Sequence, residues 1–333
     1  MDAKRGTLLQ VAKPILEAYP DSPVALVGCR ALGIGRTCCE YDLVVVSDEP
    51  RERDSVRFGE AYLDIFFLSE KEALRPGDPE LAVSMAHAST VRDTALLLSS
   101  GCSAAQAVLP ESARKSAQGR LASSLKAMGR ADEAISKGSA GDADFWLLAA
   151  AYDFAFAWLY SAEVKPAPSH LLEQLRENSR GHSGRFEAFS MAAGLERASR
   201  ADCGARLESM AVLYDTLDLQ RADPEAKAGS GRTSYEIASR KASFLTAGAQ
   251  LADCYAFLGH EVICVLPKVL AARQRSKDKT REPSLLVSLL SEGQNKVVSE
   301  TVIRGLGLVR PRDSVQSALG VLREQVSELA RTT

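Results

Sequence analysis

This sequence lacks most of the features that mark a specialised chain. No apolar run reaches the roughly 20 residues that a bilayer span needs. The longest, FWLLAAAYDFAFAWLY at 145–160, is interrupted by Asp153, so no membrane-spanning segment is expected. The N-terminus MDAKRGTLLQVAKPILEAYP has no charged start followed by an apolar stretch and a small-residue cleavage site, which predicts a cytoplasmic protein. Neither sign of charge dominates: 41 Lys and Arg face 43 Asp and Glu. No global field therefore marks a binder of nucleic acid or anionic membrane, although a local basic patch stays open. Cysteines are few, odd in number and scattered (29, 38, 39, 102, 203, 254, 264) with no C-x-x-C pair, which argues against a disulfide framework and a zinc site. They read as reduced, buried small hydrophobes. Four separated histidines (87, 170, 182, 260) give a histidine-rich metal centre little to work with.

What remains is an ordinary globular composition, 46% hydrophobic over 333 residues, enough for roughly two domains. Two portions differ in periodicity. Residues 1–78, with an extension to about residue 100, combine an amphipathic helix carrying Leu8, Leu9, Val11, Ile15 and Leu16 with three strand-like runs, VALVG, DLVVVS and YLDIFFLS. Residues 79–333 are rich in alanine and leucine at helical spacing. Helices are expected near 79–100, 103–137, 142–162, 168–178, 184–220, 233–258, 259–275, 285–304 and 312–331. KGSAGD, EVKPAPS and RADPEAKAGSGRTS interrupt them, the last as a candidate mobile loop, and RQRSKDKTREP at 273–283 is a charge-rich connection. No internal repeat of fixed period stands out. The fold class is α+β: a small mixed sheet with flanking helices, followed by a larger all-α part.

The chemistry concentrates in VALVGCRALGIGRTCCEYDLVVVSDE at 24–49. A glycine directly after a buried strand lets the backbone turn and lets an anionic group approach the main chain, and Gly28 has that position. A short helix starting at Cys29 and Arg30 would aim its N–H groups at a phosphate, with Arg30 and Arg36 adding charge-assisted bonds. Side chains two apart in a strand share a face, so Glu40 and Asp42 point the same way and repel unless a cation separates them. A third acid, Asp64, breaks the apolar run of the next strand, which is costly unless it is partnered or faces a site. Three carboxylates facing a phosphate cradle suit one or two Mg2+ ions, and the reaction class is phosphoryl or nucleotidyl transfer.

In this order, Gly28-Cys29, ten residues from Arg30 to Cys39, then Glu40-Tyr41-Asp42-Leu43, the segment resembles the signature of the DNA polymerase β-like nucleotidyltransferase superfamily. Arg30, Ala31, Gly33 and Arg36 bring it nearest to the minimal and aminoglycoside nucleotidyltransferases. The resemblance covers roughly residues 5–70. It implies that Gly28 and Cys29 hold the triphosphate of ATP or another NTP, and that Glu40, Asp42 and Asp64 bind Mg2+. It further implies that Asp64 helps activate a hydroxyl acceptor: a small molecule, an RNA end or a protein side chain. Two positions depart from the family, which usually has serine at Cys29 and aspartate at Glu40. A thiol is a poorer donor to phosphate, and an added methylene displaces a ligand to a metal that demands near-ideal octahedral geometry. A catalytically impaired nucleotide-binding or regulatory protein is therefore the competing class, and a helical interaction scaffold the third.

In the helical portion, the aromatic residues around Trp146, Tyr152 and Tyr160 read first as core packing and second as a wall for a sugar or base. The second domain of aminoglycoside-modifying members can supply a carboxylate base, a role open here to Asp144 or Asp153. Forming a homo-oligomer interface is another role open to this portion. Arg176 and His182 in RENSRGHS are similar to the short ribonuclease motif of HEPN domains, with Gly181 and Gly184 pointing instead to a helix end. His260, after Gly259, reads as a capping or packing histidine at a helix junction. The neighbours Cys38 and Cys39 read as incidental.

Overall fold

The computed structural model describes residues 2–47, 54–220, 230–277 and 300–333. The chain forms two compact units, Met1–Ser116 and Ala117–Thr333. The first contains α1 (Asp2–Ala18), β1 (Val24–Val27), α2 (Gly28–Ala31), β2 (Tyr41–Val46), β3 (Asp54–Phe58) and β4 (Ala61–Leu68). It continues through α3 (Glu70–Leu74), α4 (Pro79–Ala86), β5 (Ser89–Arg92) and α5 (Leu97–Ala107). The division between units falls within α6 (Leu109–Ser136). The expected α+β class is what the structure shows: a five-stranded mixed sheet with helices, followed by a larger helical part.

Strand order is β3-β4-β2-β1-β5. β1 runs antiparallel to β2 and β5, β2 parallel to β4, and β3 antiparallel to β4. Alternation divides the apolar residues between two faces. Val24, Leu26, Leu43, Val45, Leu63 and Ile65 pack under α1 through Ala12, Ile15, Leu8, Val11 and Leu16. Leu9, one position off that stripe, is exposed. Ala25, Val27, Val44 and Val46 meet Ala73, Met85, Leu98 and Cys102 from α3, α4 and α5 on the other face. Capping fits the sequence at two of these helices: Ser69 and Glu72 form a reciprocal capping box, and the Asp78 carboxylate accepts from the Glu80 N–H ahead of α4, with Pro79 at its start.

The helix expected over 79–100 is not formed. The chain leaves α4 at Ala86 and pairs Ser89–Arg92 with β1 as an edge strand. Arg92 then donates to the carbonyls of Leu16, Tyr19 and Ser22, bonds that a helical path would lose. A short strand with two exposed residues carries almost no hydrophobic alternation, so helical composition masks it.

The second unit is built around α7 (Ala140–Ser161), buried nearly throughout from Asp142 to Tyr160. Tyr152 and Trp158 are among its fully buried residues, so core packing accounts for most of the aromatic segment. The unit continues with α8 (Leu171–Glu177), α9 (Ser183–Ala193), α10 (Arg200–Gln220), α11 (Ser230–Ala247), α12 (Leu251–Lys277), α13 (Glu300–Gly305) and α14 (Arg312–Thr332). The single helix expected over 184–220 is broken at Gly194 and a 3-10 turn, Leu195–Arg197. The junction expected at 259 lies instead at 248–250, and α12 passes through His260 unbroken. Residues 221–229 of the candidate loop, 278–283 of the charged connection and 285–299 of an expected helix lie outside the described residues. Among the described residues no helix is long and apolar enough to cross a membrane. None of the seven cysteines is in a disulfide.

Candidate active site

The site forms where β1 ends. Val27 pairs with Asp42, so Gly28 leaves the strand beside that carboxylate. Gly28 has φ +73°, and a Cβ built on it would lie 1.9 Å from Asp42 Oδ2. Both facts require glycine here: the conformation is strained for any L side chain, and the carboxylate already fills the space.

Asp42 and Asp64 are direct register partners across the parallel pair β2 and β4. Parallel neighbours are about 4.8 Å apart, and partners in register project from the same face. The face is the one that carries Val44 and Val46, with Phe66 and Leu68 packed against the same core. This explains why Asp64 interrupts an apolar run: Leu63 and Ile65 belong to the opposite core. Asp64 is only 3% exposed. Its Oδ1 accepts a 3.1 Å bond from the Ser55 hydroxyl on β3, which is its own register partner. Ser55 escaped the sequence reading because β3 is a short, half-exposed edge strand whose sole signal is the alternation in DSVRF.

Glu40 lies one residue before β2 begins and its carbonyl accepts from Arg30 Nε at 3.0 Å. Cys29, in the four-residue α2, is buried. Its thiol is pushed well up, first by the hydrogen bond with Cys39, then by burial, then by the nearby charges of Cys39, Asp42 and Glu40. The thiol is therefore held neutral, and the same influences put Cys29, Cys39, Asp42 and Glu40 in one electrostatic neighbourhood. The Cys39 Sγ also accepts the Arg36 N–H at 3.4 Å.

Arg30 turns to its own loop. Nε donates to the carbonyls of Cys39 (3.2 Å) and Glu40 (3.0 Å), and Nη2 to those of Arg36 (3.1 Å) and Cys39 (2.6 Å). Its guanidinium also lies 4.0 Å from the Tyr41 ring centroid. It clamps residues 36–40 against α2, fixing where Glu40 enters β2. Arg36 is tied in by its main chain, through its N–H to Cys39 and its carbonyl to Arg30, and its side chain is half-buried. The structure thus gathers Gly28, Cys29, Glu40, Asp42 and Asp64, with Arg30 as the brace of the loop between them.

In the second unit, Asp144 is 1% exposed and bound to Arg310, whose N–H meets Oδ2 at 3.0 Å and whose Nε meets Oδ1 at 2.6 Å. Asp153 pairs with Arg120 at 2.9 Å. Both carboxylates are held by arginines of this unit, which accounts for acids in so apolar a helix. Arg176 is held by Asp253 through two 3.2 Å bonds, and His182 immediately precedes α9, with Gly181 in the turn before it and Gly184 inside the helix.

No protein-family model matches the chain, and no curated protein matches it. Among solved structures, the chain is similar to a nucleotidyltransferase-like protein from Exiguobacterium sibiricum 255-15, at 13% identity over 87% of this chain and 88% of that one, with a TM-score of 0.32.

Proposed function

We propose that the first unit is the catalytic part of a nucleotidyltransferase that moves a nucleoside monophosphate from ATP or another NTP to a hydroxyl acceptor, with Mg2+ as cofactor. The observation that carries the reading is the register of Asp42 on Asp64, beside a glycine whose missing side chain leaves the Asp42 carboxylate at the turn. Two ionised carboxylates held side by side repel unless a cation lies between them. The donor set fits magnesium: Asp42, Asp64 and Glu40 offer only hard carboxylate oxygens. Bound there, the ion supplies charge neutralisation at the triphosphate and acidifies the acceptor hydroxyl. The chain's own contributions follow from its geometry. Ser55 fixes the plane of the Asp64 carboxylate, which takes the acceptor proton. The turn at Gly28 brings main chain close to the phosphates.

Asp42→Asn keeps the size and removes the charge. Transfer of labelled nucleoside monophosphate should disappear while circular dichroism stays unchanged, and retained transfer would overturn the reading. A second reading, nucleotide binding without transfer, draws on the Cys29 thiol being committed to Cys39 and on Glu40 standing outside the strand. Calorimetry with ATP, with and without Mg2+, separates a binder from a scaffold, and the transfer assay separates a binder from an enzyme.

A further inference from the structure

Of the seven cysteines, six are buried and Cys264 alone is partly exposed. It lies in α12 one turn after His260, and residues four apart on a helix face the same way. Its Sγ is 3.7 Å from Nε2 of the imidazole and 3.9 Å from Nδ1. Glu261 meets the same ring, with Oε1 3.7 Å from Nδ1. The other oxygen of Glu261, Oε2, accepts a 2.9 Å bond from the Tyr214 hydroxyl of α10. From α7, the rings of Tyr152 and Phe156 lie 5.7 and 5.4 Å from the imidazole. Lys241 of α11 adds a positive charge that acts on Glu261. A polar chain thus runs from Tyr214 through Glu261 and His260 to Cys264, with aromatic rings behind it.

Burial opposes the charging of this imidazole, but its contacts with Cys264 and Glu261 prevail and raise its pKa to about 9. His260 is therefore an imidazolium at neutral pH. Burial likewise pulls Glu261 up, and His260, Lys241 and Tyr214 together pull it down further, which keeps the carboxylate ionised. Nucleophilic cysteines have this setting: partial exposure, a cation beside the sulfur and a third group that holds the histidine. A structural cysteine sits among apolar side chains, as Cys102 does against Ala25, Val27 and Met85. Apolar residues would fill the space between α7, α10 and α12 without the desolvation that these charged groups incur.

We propose that Cys264 is a nucleophilic cysteine that hydroperoxides modify, with His260 as the residue that activates it and Glu261 as the positioning residue that orients His260. The thiolate sulfur attacks the terminal oxygen of the hydroperoxide. The S–O bond forms as the O–O bond breaks, the sulfur is oxidised by two electrons to a sulfenic acid, and the leaving oxygen takes the imidazolium proton and departs as water or an alcohol. A small thiol such as glutathione restores the cysteine: one molecule displaces water to give a mixed disulfide, and a second reduces it.

The test is the rate at which iodoacetamide alkylates each cysteine of the full-length chain at pH 7, read by peptide mass spectrometry in the native protein and in urea. The unfolded chain gives the rate of an ordinary exposed thiol, and a fold that merely covers a cysteine can only slow it. Cys264 should react about tenfold faster native than unfolded, and the six buried cysteines slower. His260→Gln should reverse that order at Cys264. Glu261→Gln should cut the native-to-unfolded ratio severalfold, which keeps the test decisive if the first variant folds poorly; circular dichroism checks the fold of each. Hydrogen peroxide followed by dimedone should mark Cys264 as a sulfenic acid in the native chain. A native rate at Cys264 at or below the unfolded one, an unchanged ratio in a folded variant, or peroxide treatment that leaves Cys264 without a dimedone adduct overturns the proposal.

Discussion

The contact between Gly28 and Asp42 can be measured with an internal control. Gly28 and Gly33 have nearly the same φ, +73° and +79°, but a Cβ at Gly33 meets nothing within 4 Å whereas at Gly28 it would meet Asp42 Oδ2 at 1.9 Å. Alanine at either position incurs the left-handed backbone strain of about 1–2 kcal/mol. Only Gly28→Ala adds a collision, and overpacking of this kind costs a further about 1–3 kcal/mol. Most of the excess should go when Asp42 is also cut back. In the background Asp42→Ala only the Cβ of residue 42, at 3.1 Å, remains against the new side chain, so Gly28→Ala should cost much less than beside the native carboxylate, which a double-mutant cycle reads as a coupling of about 1–3 kcal/mol. Hydrogen exchange of peptides from β1 and β2 in urea gives the stability of the first unit. Tryptophan fluorescence serves as the control, because both tryptophans lie in the second unit. Equal losses for the two glycines, or a cycle that closes without coupling, would show that the Asp42 carboxylate does not lie over the turn, and the site geometry would fall with it.

Two further outcomes concern the second unit. Asp144→Ala leaves the nearly buried Arg310 guanidinium without its carboxylate, and the urea midpoint should report a loss of about 3–5 kcal/mol; a loss below about 1 kcal/mol would mean that the pair is solvated. His260 is half-buried, which opposes its charging, yet hydrogen bonding of its imidazole to Cys264 and to the Glu261 carboxylate raises its pKa from 6.5 to about 9. Because the folded value is the higher, its contribution is fully present below about pH 6.5 and is lost as pH rises through 9. Stability followed by tryptophan fluorescence should fall across that window, and His260→Gln should flatten the fall. An unchanged profile in the variant would remove His260 as the cause.

The run from strand to glycine to acidic pair was legible because each of its signals is local. A buried strand, a glycine and alternating carboxylates lie within twenty residues, and the positive φ of Gly28 is what a glycine at a strand end announces. The two edge strands were not legible. Ser89–Arg92 and Asp54–Phe58 are short and half-exposed, so the first carries almost no hydrophobic alternation and the second only that of Val56 and Phe58. Between α11 and α12 the chain breaks at Gly248 and Ala249, and Ala249 takes φ 56°, a left-handed conformation that an alanine in a helical run does not announce. The charge of Arg30 is visible in the sequence, while the carbonyls that engage its Nε and Nη2 become neighbours only when residues 36–40 fold back over α2.

By itself the sequence determined the α+β start, the helical remainder, the absence of a long apolar span and the cluster of acids after Gly28, because periodicity and composition act over a few turns of chain. Only the tertiary structure decided that Asp42 stands in register with Asp64, that Ser55 holds Asp64 from a third strand, and that Asp144 meets Arg310 across 166 residues. Those pairings depend on which strands become neighbours and which helices share a core. That choice is made by the summed burial of many remote side chains and leaves no mark at the paired positions themselves.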